Sequence, residues 1–421
     1  MIKKPQGMLD FFPEETKKIQ YIEAAARDVA KRFGFGEIRT PILESTELFS
    51  RGVGNSTDVV QKEMYTFVDR DGPSLSLRPE GTAGVARAII ENGKYGDAMP
   101  LKYYYIINCY RHERPQKGRY REFSQFGVEM FGAASPEADA EIISLAEMLI
   151  GELGINSVSL HINTIGCQNC RPKYYDLLRA YFADKKDQLC STCRSRLDTN
   201  PMRILDCKSE ICKKISSSAP KITDCLCDEC RNHFEKVKSR LEAMKIDFTV
   251  DPSIVRGLDY YTRTVFEFVC NDERMGAQAT ICGGGRYDRL LDELGDISLP
   301  ACGFGMGISR LLPLVDLPEN NTDNGIYIAT MGETAAAYAS ELVYKLRGCG
   351  ICAETDIMAR SVKAQMKYAN KIGYSYVIVI GENEISSGKA VLKKMSDGSN
   401  EEVKLSNVIE HIKSKFNESR I

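Results

Sequence analysis

Tyr110-Arg111-His112-Glu113-Arg114-Pro115-Gln116-Lys117-Gly118-Arg119-Tyr120-Arg121-Glu122-Phe123 crowds five basic side chains and two acids between two apolar flanks. Upstream lies Leu101-Lys102-Tyr103-Tyr104-Tyr105-Ile106-Ile107, and the downstream flank runs to Met130. Aromatic and β-branched residues of this kind favour strands, so the stretch reads as a long antiparallel hairpin with a charged turn. Arginine supplies planar, permanently charged forks suited to phosphate and carboxylate oxygens. Phe123 adds a face on which a purine can stack. A solvated, salt-bridged hairpin is the plainer alternative, but strand-forming flanks favour a rigid site.

Two further segments carry the same kind of chemistry. Arg256-Gly257-Leu258-Asp259-Tyr260-Tyr261-Thr262-Arg263 is followed by Cys282-Gly283-Gly284-Gly285-Arg286-Tyr287-Asp288. Consecutive glycines let a backbone approach a ligand closely, although a plain glycine turn between strands fits as well. Gly303-Phe304-Gly305-Met306-Gly307-Ile308-Ser309-Arg310 reads as a strand running into a helix, with Arg310 set to reach a terminal phosphate. It is not the dinucleotide fingerprint, because Ile308 stands where the third glycine belongs, and no phosphate loop of the G-x-x-x-x-G-K-[ST] type occurs.

Around these segments, Pro13-Glu14-Glu15 opens a helix whose apolar face is Ile19, Ile22, Ala26, Val29, Ala30 and Phe33, ended by Gly34 and Gly36. Residues 37–43 read as a strand, with Pro41 tolerated only at an edge, bulge or interface. Residues 166–245 change character to helical, charged and cysteine-rich, which marks an insertion. Strand signals return at 261–270. Residues 317–325 look like a linker, and beyond them strands (326–329, 377–380, 391–394) alternate with helices (334–346, 361–372), as in a small α/β domain.

At 421 residues the chain exceeds what one hydrophobic core usually supports. Its 56 basic and 58 acidic side chains nearly cancel, so any nucleic-acid surface must be a local patch. No apolar leader and no membrane-length apolar run occur, and a cytoplasmic protein is expected. Nine of the fifteen cysteines fall between Cys167 and Cys230, which in such a chain points to thiols or metal ligation rather than disulfides.

Taken together, the hairpin, the Arg256 and Cys282 peptides and the Gly303 peptide resemble motif 2, the two histidine signature peptides and motif 3 of the histidyl-tRNA synthetase family. Residues 38–52 resemble motif 1, the class II dimer interface. The likeness runs from about residue 4 to the C-terminus, and Arg256–Tyr261 is its specific part. Glu122 and Ser124 depart from it, standing where the family more often has Gln and His. The regulatory subunit of ATP phosphoribosyltransferase shares the catalytic fold, but it usually lacks the anticodon domain and degrades the Arg256 peptide.

The resemblance implies an antiparallel class II catalytic sheet flanked by helices (α+β), a helical insertion and a C-terminal α/β anticodon-binding domain. The expected boundaries are 1–165, 166–246, 247–320 and 321–421. It also implies a homodimer that ligates histidine to tRNA(His) through histidyl-adenylate, with ATP and magnesium as cofactors. Catalysis would fall to Arg111 and Arg256. Arg111, Glu113, Arg121, Phe123 and Arg310 would bind ATP. Histidine would meet Glu80, Thr82, Arg111, Gln125, Glu129, Tyr260 and Tyr261, and tRNA would meet Gln116, Lys117 and Arg119. In the tail, Arg360, Lys363, Lys367 and Lys371 recur at near-helical spacing and form a basic face, which is either solvated or RNA-reading.

The close pairs Cys167/Cys170, Cys190/Cys193, Cys207/Cys212 and Cys227/Cys230 signal zinc. Sequence order suggests one site from the first two pairs and another from the last two. Against metal stands the family's insertion, which usually lacks most of these cysteines.

Overall fold

Alternation along residues 101–110 turns Tyr104 to one face and Tyr105 to the other. In the computed structural model these residues form the strand Leu101–Tyr110, paired antiparallel with Glu122–Phe131 in the register Leu101↔Phe131 to Tyr110↔Glu122. The structure describes residues 1–55, 57–70, 72–116, 118–275, 280–318 and 324–418. Lys117 and residues 319–323 of the expected linker therefore lie outside the described residues. The chain divides into two units, Met1–Leu317 and Pro318–Ile421.

In the first unit an eight-stranded sheet runs Gly36–Glu37, Leu101–Tyr110, Glu122–Phe131, Ala301–Gly307, Thr280–Arg286, Thr262–Cys270, Val158–Thr164 and Thr249–Val250. The long strands pair antiparallel, and only the two-residue edge strands pair parallel. Antiparallel pairing brings all three glycine- and arginine-bearing segments side by side at the middle of one sheet.

One face is covered by helices Pro13–Arg32, Pro136–Glu152 and Asp228–Ala243, packing Tyr104, Phe126 and Phe304 into a core with Ile22, Ile143 and Val237. Helix Asp228–Ala243 therefore belongs by packing to the core of the large sheet, although it closes the cysteine-rich stretch. The other face carries Tyr105, Tyr260, Tyr261 and Tyr287 together with helix Thr82–Glu91 and the insertion.

The strand expected at 37–43 is broken in two. Gly36–Glu37 joins the large sheet, whereas Leu43–Ser45 joins a small one with Ser74–Leu77 and Thr66–Val68. Pro41 has no N–H to donate to a ladder. Instead the buried Arg78 donates to the carbonyls of Thr40 (2.8 Å) and Asn108 (2.8 Å) and ties the break to the long hairpin.

A buried ion pair locks the two halves of the catalytic segment together. Arg286, fully buried on strand Thr280–Arg286, donates to Asp139 on helix Pro136–Glu152 and to the carbonyls of Ala133 (2.9 Å) and Ser135 (3.1 Å). His233 Nε2 stands 3.2 Å from the same carboxylate. Burial pushes the Asp139 carboxyl up, but Arg286 and His233 outweigh it and hold it at about 2. Asp139→Ala would strand a buried guanidinium, and urea unfolding should report a loss of ~3–5 kcal/mol.

In the second unit the sheet order is Ala353–Thr355, Ile326–Thr330, Tyr376–Ile380, Lys389–Lys394 and Asn400–Lys404. Ile326–Thr330 pairs parallel with both neighbours, and the last two strands form an antiparallel hairpin. Helices Glu333–Gly348 and Val408–Glu418 pack on one face through Leu342, Leu346, Val408 and Ile412, while Val362–Ile372 packs on the other. The strands at 353–355 and 400–404 carry no strong alternation and escape a sequence reading. Lys363, Lys367 and Lys371 lie exposed on helix Val362–Ile372. Arg360 is committed elsewhere: it pairs with Asp356 (2.6 Å) and lies 4.2 Å from the Tyr368 ring centre. Among the described residues, no helix is long and apolar enough to cross a membrane.

Candidate active site

Strands Glu122–Phe131, Ala301–Gly307 and Thr280–Arg286 floor a cleft of about 530 Å³, and the insertion walls one side of it. Missing side chains on the floor make room for long ones. A Cβ at Gly283 would fall inside the Arg256 guanidinium, and one at Gly305 inside the Gln125 amide. The glycine peptides are thus seats for an arginine and an amide rather than phosphate-wrapping turns.

Six guanidinium groups line the cleft among the described residues, from Arg111, Arg119, Arg256 and Arg310 and, on the insertion, Arg196 and Arg203. Arg111 Nε donates to the Pro79 carbonyl (2.9 Å), and its head lies 5.5 Å from the centre of the Phe123 ring. Arg256 pairs with Glu267 and lies over the Tyr261 ring, and its Nε finds no partner among the described residues. Burial would lower the Arg256 guanidinium, but the Glu267 charge overrides this and raises it. Arg310 donates to the carbonyls of Thr280 (2.6 Å) and Gly118 (3.3 Å). Burial and the charges of Arg119 and Arg111 pull it down to about 10. Crowded cations of this kind call for an anionic ligand.

Beneath the arginines the chemistry changes sign. Glu129 is fully buried and accepts hydrogen bonds from the hydroxyls of Thr82 (2.7 Å), Tyr105 (2.9 Å) and Tyr287. Burial pushes its carboxyl up to about 8. Glu80 accepts from the Thr82 and Ala83 amides (2.8 Å each) at the start of helix Thr82–Glu91, and burial raises it as well. Tyr260 and Tyr261 meet at a tilt with ring centres 4.7 Å apart, and both line the cleft.

Glu80, Thr82, Arg111, Glu113, Arg119, Phe123, Gln125, Arg256, Tyr260, Tyr261 and Arg310 all line the cleft, with Glu129 below its floor. Two expected residues do not. Arg121 turns its Nε to the Glu113 carbonyl (3.2 Å), and Gln116 lines a separate groove against residues 3–10. Glu113 pairs with Arg119 at 2.9 Å. Of the atypical pair, Ser124 lines the cleft, while Glu122 accepts from Asn108 (3.1 Å) and the Tyr110 hydroxyl (3.0 Å).

Sequence reasoning missed Glu267, Tyr105 and Tyr287, and also Arg196, Arg203 and Asp206, which the insertion brings to the cleft wall. Tyr287 sat inside a quoted peptide, and Tyr105 shares a strand face with the substrate side. The others show no local signal.

The four-cysteine sets differ from the sequence-order expectation. The sulfurs gather as Cys167, Cys170, Cys227 and Cys230 in one set and Cys190, Cys193, Cys207 and Cys212 in the other. An excursion that leaves and rejoins one sheet must bring its two ends together, so the first pair meets the last.

A family model described as histidyl-tRNA synthetase matches residues 7–311, and one described as an anticodon binding domain matches residues 325–415. The chain belongs to the histidyl-tRNA synthetase family. Its relatives include the histidine–tRNA ligase of Acetivibrio thermocellus, 50% identical over 98% of this chain and 100% of that one. The histidine–tRNA ligase of Caldanaerobacter subterraneus is 49% identical over the same shares. The crystal structure of apo S. aureus histidyl-tRNA synthetase aligns with a TM-score of 0.83 at 38% identity, covering 98% of this chain and 100% of that chain. The synthetase-family match spans all the strands that floor the cleft, so the arginine cluster and the buried carboxyls sit within the family's own domain.

Proposed function

We infer that this chain is a histidine–tRNA ligase, joining histidine to tRNA(His) with ATP through a histidyl-adenylate and releasing pyrophosphate and AMP. The observation that carries this is a cleft lined by arginines with two buried carboxyls, Glu80 and Glu129, beside it. Such a cleft suits a polyphosphate at one end and a cationic, ring-bearing amino acid at the other. In the first step the histidine carboxylate attacks the α-phosphorus, and pyrophosphate leaves. Arg111 and Arg256 offset charge as it builds there, so catalysis is positional and electrostatic, with no protein nucleophile. In the second step a terminal ribose hydroxyl of tRNA attacks the acyl carbon, and AMP leaves.

Arg310 and Arg121 serve the outer phosphates, Arg121 after release from the Glu113 carbonyl. Glu113 meets the adenine amino group, and Phe123 stacks on the ring. Glu80, Thr82 and Gln125 receive the α-ammonium, while Glu129, Tyr260 and Tyr261 face the imidazole. Hydrogen bonding to both ring nitrogens rejects isosteres, since a missing partner leaves buried polar groups unpaired. Magnesium arrives on ATP, whose phosphates supply most of its oxygens. Glu267, which stands beside Arg256 and accepts the Thr280 hydroxyl at 2.9 Å, offers a hard oxygen donor for it.

Gln116, Lys117 and Arg119 contact tRNA, and Lys363, Lys367 and Lys371 read the anticodon arm. The protein works in the cytoplasm as a homodimer. Exposed Ile42, Leu43, Phe67 and Val68, around the motif 1 segment, support a subunit interface there. In the insertion the two four-thiol sets suit a structural metal such as zinc.

Histidine-dependent exchange of labelled pyrophosphate into ATP tests the reading. Exchange with histidine, and with none of the other proteinogenic amino acids, is expected. A folded protein that exchanges with no amino acid would be a synthetase-shaped regulator instead.

A further inference from the structure

Eight thiols of the insertion stand in two sets of four, and within each set the sulfurs lie within 4.8 Å of one another. Cys167 Sγ is 3.7 Å from Cys170 Sγ and 3.9 Å from Cys227 Sγ, and Cys190 Sγ is 3.8 Å from Cys207 Sγ. A tetrahedron with Zn–S bonds of ~2.3 Å has sulfur–sulfur edges of about 3.8 Å. Disulfides require ~2.05 Å, and a polynuclear iron–sulfur cluster would hold its thiolates farther apart. Backbone amides point at the sulfurs as they do in zinc knuckles: Cys227 N donates to Cys170 Sγ (3.2 Å), Cys190 N to Cys212 Sγ (3.4 Å) and Ser209 N to Cys207 Sγ (3.5 Å). Each set has two buried and two half-buried cysteines and no other ligand type, which describes a closed structural site rather than a catalytic one.

What the two sets hold is the peptide 256–261. Arg171, next to Cys170, donates to the Tyr261 carbonyl. Between Cys193 and Cys207, Arg203 donates to the Gly257 carbonyl (3.1 Å) and Asn200 to the Asp259 carboxylate (3.3 Å). Arg196, from the same span, pairs with Asp58 (2.8 Å) across the cleft mouth. Every one of these braces leaves from a segment bounded by the eight cysteines.

We propose that the insertion binds two structural zinc ions in nested order, Cys167/Cys170/Cys227/Cys230 outside and Cys190/Cys193/Cys207/Cys212 inside, and that together they hold the peptide 256–261 in its substrate-binding form. The second half of this rests on the histidine-ligase reading, whereas the metal assignment does not. Zinc acts here on residues that touch the 256–261 peptide, so its role is positioning.

The full chain, purified without chelator and resupplied with zinc, should carry two zinc ions, counted by elemental analysis and by release with a thiol-blocking mercurial. Cobalt replacement should give thiolate-to-cobalt charge transfer and tetrahedral d–d bands. Two double variants separate the pairings. Cys167→Ser/Cys227→Ser should keep one zinc if the sites are nested and none if they follow sequence order. Cys167→Ser/Cys190→Ser should do the opposite. If a variant fails to fold, the mercurial count on the natural chain still decides the metal, and no zinc there overturns the proposal. Stripping zinc should raise the histidine KM in pyrophosphate exchange at least tenfold and lower kcat as well, since Arg256 lies on the same peptide. An unchanged histidine KM overturns the positioning half. Absence of exchange from the zinc-loaded chain would instead overturn the ligase reading while leaving the metal count intact.

Discussion

Arg256→Ala should lower histidine-dependent pyrophosphate exchange by about three orders of magnitude, the scale expected when a preorganised charge is removed from a developing oxyanion. Its guanidinium is half-buried, kept charged by Glu267 and seated where Gly283 has no side chain, so it is already in place before the reaction. The substitution also strands the Glu267 carboxylate, and a fall in activity could arise from that alone. Arg256→Ala/Glu267→Gln, run beside Glu267→Gln alone because Glu267 also offers an oxygen to magnesium, separates the two causes. If the arginine acts on the α-phosphate, the double variant regains thermal stability without regaining turnover. Recovery of turnover along with stability would reduce Arg256 to a partner of Glu267. Arg256→Lys should not rescue, because an ammonium cannot reproduce the planar fork.

How far the site could be foreseen follows from the range of the interactions. The hairpin announced itself because its strands are adjacent in the chain and its turn concentrates charge, and Arg111, Glu113 and Phe123 line the cleft together. Its details were less legible. Nothing local says that Arg121 turns to the Glu113 carbonyl, or that Arg360 is consumed by Asp356. Residues 37–43 looked like one strand by composition, yet Pro41 interrupts the ladder, and Arg78, about forty residues away, secures the break. The cysteine pairs were plain, but their partnership depends on where the insertion rejoins the sheet. Glu267 hides for the same reason: a lone acid within Thr262–Cys270 becomes meaningful only once Arg256 meets it.

Glu129→Gln should change two properties together: it should weaken histidine use by about a hundredfold in kcat/KM, as for a lost charged hydrogen bond to a carboxyl that the bound imidazole ionises, and stabilise the empty protein. The stability effect follows from burial, which pushes the Glu129 carboxyl from 4.5 to about 8 in the fold. Above its unfolded value the unfolded chain releases this proton while the folded chain keeps it, so the unfolded state binds fewer protons. Stability therefore falls as pH rises between about 4.5 and about 8, and it levels off beyond, where both states are ionised. At the alkaline end the penalty is on the order of a few kcal/mol. Glutamine cannot ionise; its oxygen can still accept from the hydroxyls of Thr82 and Tyr105, while its NH2 donates to the Tyr287 hydroxyl oxygen. Thermal unfolding of the two proteins should then nearly coincide at pH 5 and diverge toward pH 8, with the glutamine variant melting higher. Parallel melting curves across that window would mean that Glu129 is ionised in the fold, stabilised by its three hydroxyls. In that case histidine would meet a preformed carboxylate.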